Sequence, residues 1–204
     1  MKAVLGFDPG GKGTGKGEFG WALLEDADAL PLRLLGRGLA RHAEDALARA
    51  SVFIEESRTE IAAIGIDAPL TWVSAGRVVD AEVGAQQINS LWGACLVQGW
   101  LIAKLAEERF PDTRISESHP KLVLRRCFPH MTRPIAKAVN SSEIGTLVSG
   151  HFDSPHTRDA ALSALSGWAM LHLRQDWEDL ACLDPQAHTW LKTSAYWLPV
   201  PVLR

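Results

Sequence analysis

The first 25 residues constrain the fold more than any other part of the chain. An apolar run of strand length, Lys2 to Phe7, ends at an acid, Asp8, and a turn signal follows at once. A glycine- and lysine-rich segment then leads into a second apolar run, residues 19–24. Two such runs joined by a glycine-rich loop predict a β-hairpin. An acid at the end of a central strand presents its carboxylate at the sheet edge, so Asp8 is taken as the anchor of a candidate site.

The loop of this hairpin partly matches a phosphate-binding P-loop. Gly10, Gly15 and Lys16 fit the pattern, but Gly17 stands where a serine or threonine should bind magnesium. A strand follows instead of a helix, so no helix N-terminus is available to hold a phosphate. The P-loop interpretation fails on this context. A hairpin turn with solvated lysines remains the simple alternative.

Three further acids occupy comparable places in the chain. A non-alternating apolar run from Ile61 is typical of a strand buried on both faces, and it ends at Asp67. A short predicted strand, residues 114–117, ends at Glu117 and is followed by His119. An apolar helix is predicted over residues 157–173, with Asp159 in its first turn and His156 just before it. Gathered carboxylates repel one another unless cations lie between them, and hard divalent cations prefer oxygen ligands. Such a cluster can hold two metal ions about 4 Å apart for phosphoryl transfer.

The remaining periodicity predicts mixed α/β structure. A third strand is expected over residues 33–39, and an amphipathic helix is expected from Ala43 to Arg58. The segment 78–110 predicts two helices with a break near residues 90–93. Short helices are predicted over 121–127, 143–148 and 176–183, and the C-terminal tail has an extended character.

Composition limits the classes of protein that fit. The chain has 204 residues, of which 47% are hydrophobic and 22% charged, which suits one globular domain. The sequence shows no N-terminal signal and no apolar stretch long enough for a membrane span. The three cysteines are scattered and are not spaced for zinc. We therefore expect a cytoplasmic protein with reduced thiols and no membrane partner.

The net charge of −3 gives no overall attraction to nucleic acid, but the charge is unevenly distributed. No acid occurs between Glu117 and Glu143, whereas five basic residues do: Lys121, Arg125, Arg126, Arg133 and Lys137. This excess directly follows one of the candidate site acids. It is either a phosphate-binding surface or a solvated helix face.

Taken together, the motifs resemble the RNase H-like superfamily. The similarity rests on Gly6-Phe-Asp8-Pro-Gly, on the hairpin into Gly20-Trp-Ala, and on Gly65-Ile-Asp67-Ala-Pro-Leu, Glu117-Ser-His119-Pro and His156-Thr-Arg-Asp159-Ala-Ala-Leu. Within the superfamily the chain is most similar to a family of predicted nucleases of about this length. Its opening Asp-Pro-Gly and its final His-x-x-Asp-Ala helix also resemble the RuvC-type Holliday-junction resolvases.

This resemblance implies both a fold and an activity. The fold is a single α/β domain over residues 1–204, with a mainly helical insertion around 72–110. Its mixed five-stranded sheet has three antiparallel strands, then two parallel to the first, and helices on both faces. The activity is hydrolysis of phosphodiester bonds in DNA or RNA by two magnesium or manganese ions. RNase H enzymes take one acid of the site from the first helix. In this chain, Glu117 would fill the role of that acid. The implied metal ligands are Asp8, Asp67, Glu117 and Asp159; His119 or His156 would transfer protons, and Lys12, Lys16, Lys121 and Arg125 would contact phosphates.

Two alternatives remain open at the level of sequence. The chain can be a nucleotide-binding relative of the actin and sugar-kinase ATPases, which place a glycine-rich hairpin on phosphates. Such a protein needs a second domain of this kind, for which 204 residues leave room only through a homodimer. The chain can also be a nucleic-acid-binding module that has kept the fold without catalysis. Metal binding distinguishes this last alternative from a nuclease.

Overall fold

The computed structural model describes residues 1–10, 18–71, 77–82, 92–131, 138–189, 191–192 and 195–201, with the backbone alone for 81, 82 and 92–94. In this part of the chain, eight strands form one sheet. Their bounds are β1 Lys2–Asp8, β2 Phe19–Glu25, β3 Leu32–Ala40, β4 Glu60–Ile66, β5 Arg114–Glu117, β6 Val148–Ser149, β7 Trp177–Asp179 and β8 Ala195–Pro199. Six α-helices accompany them: α1 Ala43–Ser57, α2 Val78–Glu82, α3 Trp92–Arg109, α4 Pro120–Cys127, α5 Ser142–Leu147 and α6 Pro155–Leu171. A 3₁₀-helix spans Leu180–Leu183.

The strand order across the sheet is β6-β3-β2-β1-β4-β5-β8-β7. Strands β1, β2 and β3 pair antiparallel, and β4 and β5 run parallel to β1. The five-stranded mixed arrangement predicted from the sequence is therefore confirmed. Strands β6, β7 and β8 extend it, so the predicted count of five strands was too low.

Strand β1 lies at the centre of the sheet because nearly all of its residues are apolar. Every residue from Ala3 to Asp8 is buried. Leu5 and Phe7 pack in the cluster on the face covered by α1 and α3, whereas Val4 belongs to the cluster on the face covered by α6. A central strand with helices on both faces has no solvated side, which explains the absence of polar alternation.

Helix α6 begins two residues earlier than the sequence suggests. Ser154 is its N-cap, accepting a hydrogen bond from the Thr157 N–H, while the Thr157 side chain accepts one from the Ser154 N–H. Pro155 occupies the first turn, where its missing N–H is not needed. His156 therefore lies inside the helix, and Asp159 lies one turn further along the same face.

The C-terminal region differs from the prediction. The helix expected over residues 176–183 is instead the short strand β7 followed by a 3₁₀-helix. The tail supplies β8, which pairs parallel to β5 through Ser116 and Glu117, and antiparallel to β7. These pairings join segments far apart in sequence, and local periodicity carries no signal for them.

The segment 72–110, predicted to be a helical insertion, contains α2 and α3. Residues 90 and 91 of the predicted break lie outside the described part of the chain, and residues 92 and 93 are the first two of α3. No helix of the described part combines the length and the apolar character needed to cross a membrane.

Candidate functional site

Two of the four candidate acids lie side by side at one edge of the sheet. Asp8 is the last residue of β1, and Asp67 directly follows β4, the neighbouring parallel strand. The Asp67 N–H donates to the carbonyl oxygen of Phe7 at 2.9 Å, which fixes the two strand ends against each other. Parallel strands end at the same edge of a sheet, and this brings the two carboxylates together.

Glycines before these acids allow α6 to approach the sheet closely. A Cβ atom at Gly6 would lie 1.8 Å from the carbonyl oxygen of Ala160, and one at Gly65 would lie 1.7 Å from that of Ser163. Both distances are impossible for a side chain, so only glycine fits. Gly20 on β2 plays the same part beside the carbonyl oxygen of His156, at 2.1 Å from its would-be Cβ. The Gly-x-Asp pattern thus positions each acid and admits the helix that carries His156 and Asp159.

Asp8 and His156 form an ion pair across this contact. The His156 Nδ1 lies 2.7 Å from the Asp8 Oδ2, and Asp8 is only 7% exposed. This hydrogen bond raises the pKa of His156, although partial burial opposes the shift. Sequence analysis singled out both residues, and the structure shows that they contact each other directly.

Asp159 has a cationic partner that the sequence analysis missed. The Arg158 Nε donates to the Asp159 Oδ1 at 2.7 Å, and both residues are buried. Burial, reinforced by the Asp8 charge, raises the pKa of Asp159 to about 6, and Arg158 limits the rise. Arg158 also donates to the carbonyl oxygen of Ala138. The only sequence signal for this role was an arginine beside the acid on an otherwise apolar helix.

Asp67 differs from the other three acids. Its carboxyl group makes no hydrogen bond or ion pair with another described residue. Desolvation and then the charges of Asp8 and Asp159 raise the pKa of Asp67 well above its usual value, while Lys121 opposes the shift. The residue as a whole is half-buried. Asp67 is therefore a desolvated carboxyl group with three carboxyl neighbours, Asp8, Asp159 and Glu117, and with no cation in contact among the described residues.

Glu117 ends β5 next to the Asp67 strand, but its oxygens are already occupied. Arg77 Nη1 donates to Oε2 at 2.6 Å and Arg77 Nη2 to Oε1 at 2.8 Å, forming a bidentate ion pair. The Leu70 N–H donates to Oε2 at 2.8 Å. Burial raises the pKa of Glu117, and Arg77 and the Leu70 N–H oppose the shift. Sequence analysis gave no role to Arg77, which directly precedes α2 and belongs to no recognisable motif.

His119 is the residue before α4, and its ring makes no hydrogen bond to another described residue. Burial, together with the nearby cations Lys121 and Arg125, lowers the pKa of His119 to about 4. The ring is therefore neutral at physiological pH, which suits a proton acceptor better than a donor. His156, with its raised pKa, has the opposite character.

The basic residues of α4 divide into two groups. Lys121 and Arg125 are exposed, and Lys121 is close enough to the acids to oppose the rise in the pKa of Asp67. Arg126 instead donates to the Glu178 Oε1 at 2.7 Å and to the carbonyl oxygen of Pro199 at 2.8 Å, and so ties α4 to the β7–β8 hairpin. Lys12, Lys16, Arg133 and Lys137 lie outside the described residues.

The acids satisfy some requirements of a metal site and not others. Within the described part of the chain, no group of three or more His, Cys, Asp or Glu side chains is arranged to hold a metal ion. The donor chemistry nevertheless suits a hard divalent cation, because Asp8, Asp67 and Asp159 are mutually repelling carboxyl groups. Asp67 has both oxygens uncommitted toward described residues, whereas Glu117 has neither. Of the four acids, Glu117 is therefore the least able to bind a cation, and Asp67 is the least occupied by other described residues.

Comparison with known proteins supports the fold. No protein-family model matches the sequence, and no curated protein matches it. Among solved structures, the chain is similar to RuvC of Thermus thermophilus, with 16% identity over 84% of this chain and 95% of that one, at a TM-score of 0.47. It is also similar to T. thermophilus RuvC in complex with a Holliday-junction substrate, with 15% identity over 85% of this chain and 96% of that one, at a TM-score of 0.54. The second likeness shows a shared architecture. The RNase H-like fold predicted from the sequence, and its distant similarity to RuvC, are confirmed.

Proposed function

We propose that this protein is a metal-dependent nuclease that hydrolyses phosphodiester bonds in nucleic acid. One observation carries the proposal: two acids at neighbouring strand ends meet an acid and a histidine of α6 at one edge of an RNase H-like sheet. Asp67, the central acid, contacts no cation in the described part of the chain, so a bound metal ion would relieve repulsion among the carboxylates. Magnesium or manganese would be held by Asp8, Asp67 and Asp159 and would neutralise charge that develops on the phosphate oxygens.

The protein's own residues have separate tasks in this proposal. The Asp8 carboxylate orients His156 through Nδ1, which leaves Nε2 to exchange a proton with a reacting oxygen. The raised pKa of His156 suits it to donate that proton to the leaving oxygen. His119 is neutral at physiological pH and can accept a proton, although a pKa of about 4 makes it a weak base.

The nucleic-acid partner is supported by the surface beside the acids. Lys121 and Arg125 are exposed on α4, next to the candidate site, and neither forms an ion pair within the described part of the chain. Exposed lysine and arginine side chains supply the salt-dependent affinity for a phosphate backbone. The likeness to a resolvase bound to a Holliday junction makes branched DNA one substrate to include in a test.

A cleavage panel tests the proposal. Single-stranded, duplex, RNA–DNA hybrid and four-way-junction substrates would be incubated with magnesium or manganese, and with EDTA as the metal-free control. We expect metal-dependent cleavage of at least one substrate. Asp67→Asn should lower the rate by at least about a hundredfold, because even the partners of metal ligands contribute 10–100-fold. Asp112→Asn, at an exposed position in the turn after α3, is the matched control and should cleave normally.

A non-catalytic nucleic-acid-binding module is the second candidate function. The ion pairs Arg77–Glu117 and Arg158–Asp159 favour it, because they neutralise two of the four acids without metal. If the protein is such a module, it should bind nucleic acid in EDTA and cleave no substrate with either metal. The ATPase-like alternative rests on the glycine-rich loop, which lies outside the described residues.

A further inference from the structure

Glu117 has no oxygen left for a metal ion. Both of its carboxylate oxygens accept hydrogen bonds from Arg77, and one also accepts the Leu70 N–H. The Arg77 and Glu117 side chains are 6% and 4% exposed, so water does not compete for these bonds. A buried ion pair that satisfies its own hydrogen bonds is costly to separate, because each charge would then be buried alone.

Arg77 is in turn held by residues other than Glu117. Its Nε donates to the Asp80 Oδ2 at 3.0 Å, and its Nη1 donates to the Thr71 Oγ1 at 3.1 Å. The guanidinium also lies 6.0 Å from the ring centroid of Tyr196 on β8. These contacts leave Arg77 no freedom to swing away from Glu117 while the surrounding structure stays intact.

The ion pair fixes the backbone that follows Asp67. Glu117 binds the Leu70 N–H, and its partner Arg77 binds the Thr71 side chain, so residues 70, 71 and 77 are joined to the end of β5. We call this arrangement the Arg77–Glu117 clasp. It begins three residues after Asp67, whose carboxyl group makes no hydrogen bond or ion pair with another described residue.

We propose that Arg77 is a positioning residue that permanently occupies Glu117, so that divalent-ion binding depends on Asp8, Asp67 and Asp159 alone. This inference rests on the proposed function. In it, Glu117 is the anchor of the clasp and not a metal ligand, and Arg77 supplies the positive charge that a second ion would otherwise bring.

The charges of the site favour one ion over two. Arg77 balances Glu117, Arg158 balances Asp159, and His156 pairs with Asp8. Asp67 alone is left without a contacting cation in the described part of the chain. A single divalent ion beside Asp67 would relieve the remaining repulsion, whereas a second ion would find no further carboxylate without a contacting partner in the described part of the chain.

Binding of Mn²⁺ to the whole protein tests the inference without any measurement of activity. Free Mn²⁺ can be followed by electron paramagnetic resonance, and bound Mn²⁺ by calorimetry. We expect the wild-type protein to bind one ion. Glu117→Gln, which keeps the shape of the side chain, should bind one ion with less than about threefold change in affinity. Asp67→Asn should weaken binding by at least about tenfold. Two ions in the wild type, or an ion lost in Glu117→Gln, would overturn the inference.

A second pair of variants tests the role of Arg77 itself. Arg77→Met exposes an uncompensated carboxylate beside Asp67, so we expect it to bind a second Mn²⁺ ion or to require Mn²⁺ to fold. The double variant Arg77→Met/Glu117→Met replaces the ion pair by apolar side chains and should return to one ion. A purely structural role for Arg77 predicts one ion in every variant and contradicts the inference. If Arg77→Met folds neither with nor without Mn²⁺, the role of Arg77 is decided by the number of Mn²⁺ ions bound to Glu117→Gln and to the double variant.

The inference and the proposed function fail in different ways. If Glu117→Gln still binds one Mn²⁺ ion and no nucleic acid is cleaved, the proposed nuclease activity is refuted and the proposed role of Arg77 is supported. If cleavage depends on metal and Glu117→Gln loses a bound ion, the proposed nuclease activity is supported and the proposed role of Arg77 is refuted. No Mn²⁺ binding at millimolar concentration would overturn both.

Discussion

The most informative single change is Asp67→Asn, which replaces a carboxylate with an uncharged amide of nearly the same shape. The Asp67 carboxyl is desolvated, lies near the charges of Asp8 and Asp159, and has only Lys121 to oppose them. In the absence of metal, ionisation of the Asp67 carboxyl is therefore unfavourable in the folded protein. Removing that charge should stabilise the fold, in contrast to most substitutions at partly buried positions.

The size and the pH dependence of this effect follow from the raised pKa. Each unit by which folding raises a pKa corresponds to about 1.4 kcal/mol once the group is ionised. We expect Asp67→Asn to be more stable than the wild type wherever the wild-type carboxyl is ionised, and each unit of the rise corresponds to roughly 3–6 °C in Tm for a chain of this length. Because the folded pKa lies above the unfolded one, wild-type stability falls as pH rises through the folded pKa. The advantage of the variant should therefore shrink as pH is lowered toward 4, with a further change near the Asp159 pKa of about 6.

Thermal and urea melts in EDTA between pH 5 and 8 measure this difference, and Asp112→Asn controls for loss of one exposed carboxylate. Adding Mn²⁺ should then reverse the order of stability. A ligand at a hundred times its Kd stabilises the folded state by about 2.7 kcal/mol, and the wild type should gain this while Asp67→Asn gains little.

Two results would refute the reasoning. A variant less stable than the wild type at pH 8 in EDTA would show that the Asp67 carboxylate stabilises the fold through a partner. Equal stabilisation of both proteins by Mn²⁺ would show that Asp67 does not hold the ion.

Three further changes test other parts of the site. Replacing both Lys121 and Arg125 by Ala should flatten the slope of log affinity against log salt by about 1.4–1.8, since each phosphate contact contributes roughly 0.7–0.9; binding is measured in calcium to suppress cleavage. Gly65→Ala should destabilise the protein by about 1–3 kcal/mol in urea melts, because its Cβ would overlap a carbonyl oxygen of α6. Asp8→Asn should abolish cleavage and lower the pKa of His156 toward its ordinary value, as measured by NMR titration, because it removes the carboxylate charge that favours the protonated imidazole.

Each of these changes has its own control or contradicting result. Replacing Lys2 and Arg33 removes the same charge at the opposite end of the sheet and should leave the salt slope unchanged. If the Lys121 and Arg125 variant also leaves the slope unchanged, α4 does not contact the phosphate backbone. Gly145→Ala, where a Cβ meets nothing within 4 Å, is the matched control for Gly65→Ala. An unchanged His156 titration in Asp8→Asn would mean that the ion pair does not form in solution.

Local sequence patterns determined much of the fold. The predicted helix Ala43–Arg58 matches α1, which ends at Ser57, and the strands that end at Asp8 and near Asp67 are present as expected. These features follow from periodicity and turn signals within about fifteen residues, which a single sequence displays directly. The glycines at positions 6 and 65 were part of the resemblance that suggested the fold. Their physical role, admitting α6 against the sheet, became evident only from the helix packing.

Tertiary structure decided the electrostatics of the site. Sequence alone placed four acids at comparable positions and treated them as equivalent, yet only Asp67 lacks a contacting cation in the described part of the chain. Arg77 reaches Glu117 across 40 residues, and β8 pairs with β5 across about 80 residues of chain. An ion pair depends on the distance between side chains in space and on burial from water, and neither quantity is encoded in local periodicity. The sequence therefore determined where the acids lie along the chain, and the tertiary structure determined which of them contact a cationic side chain in the described part of the chain.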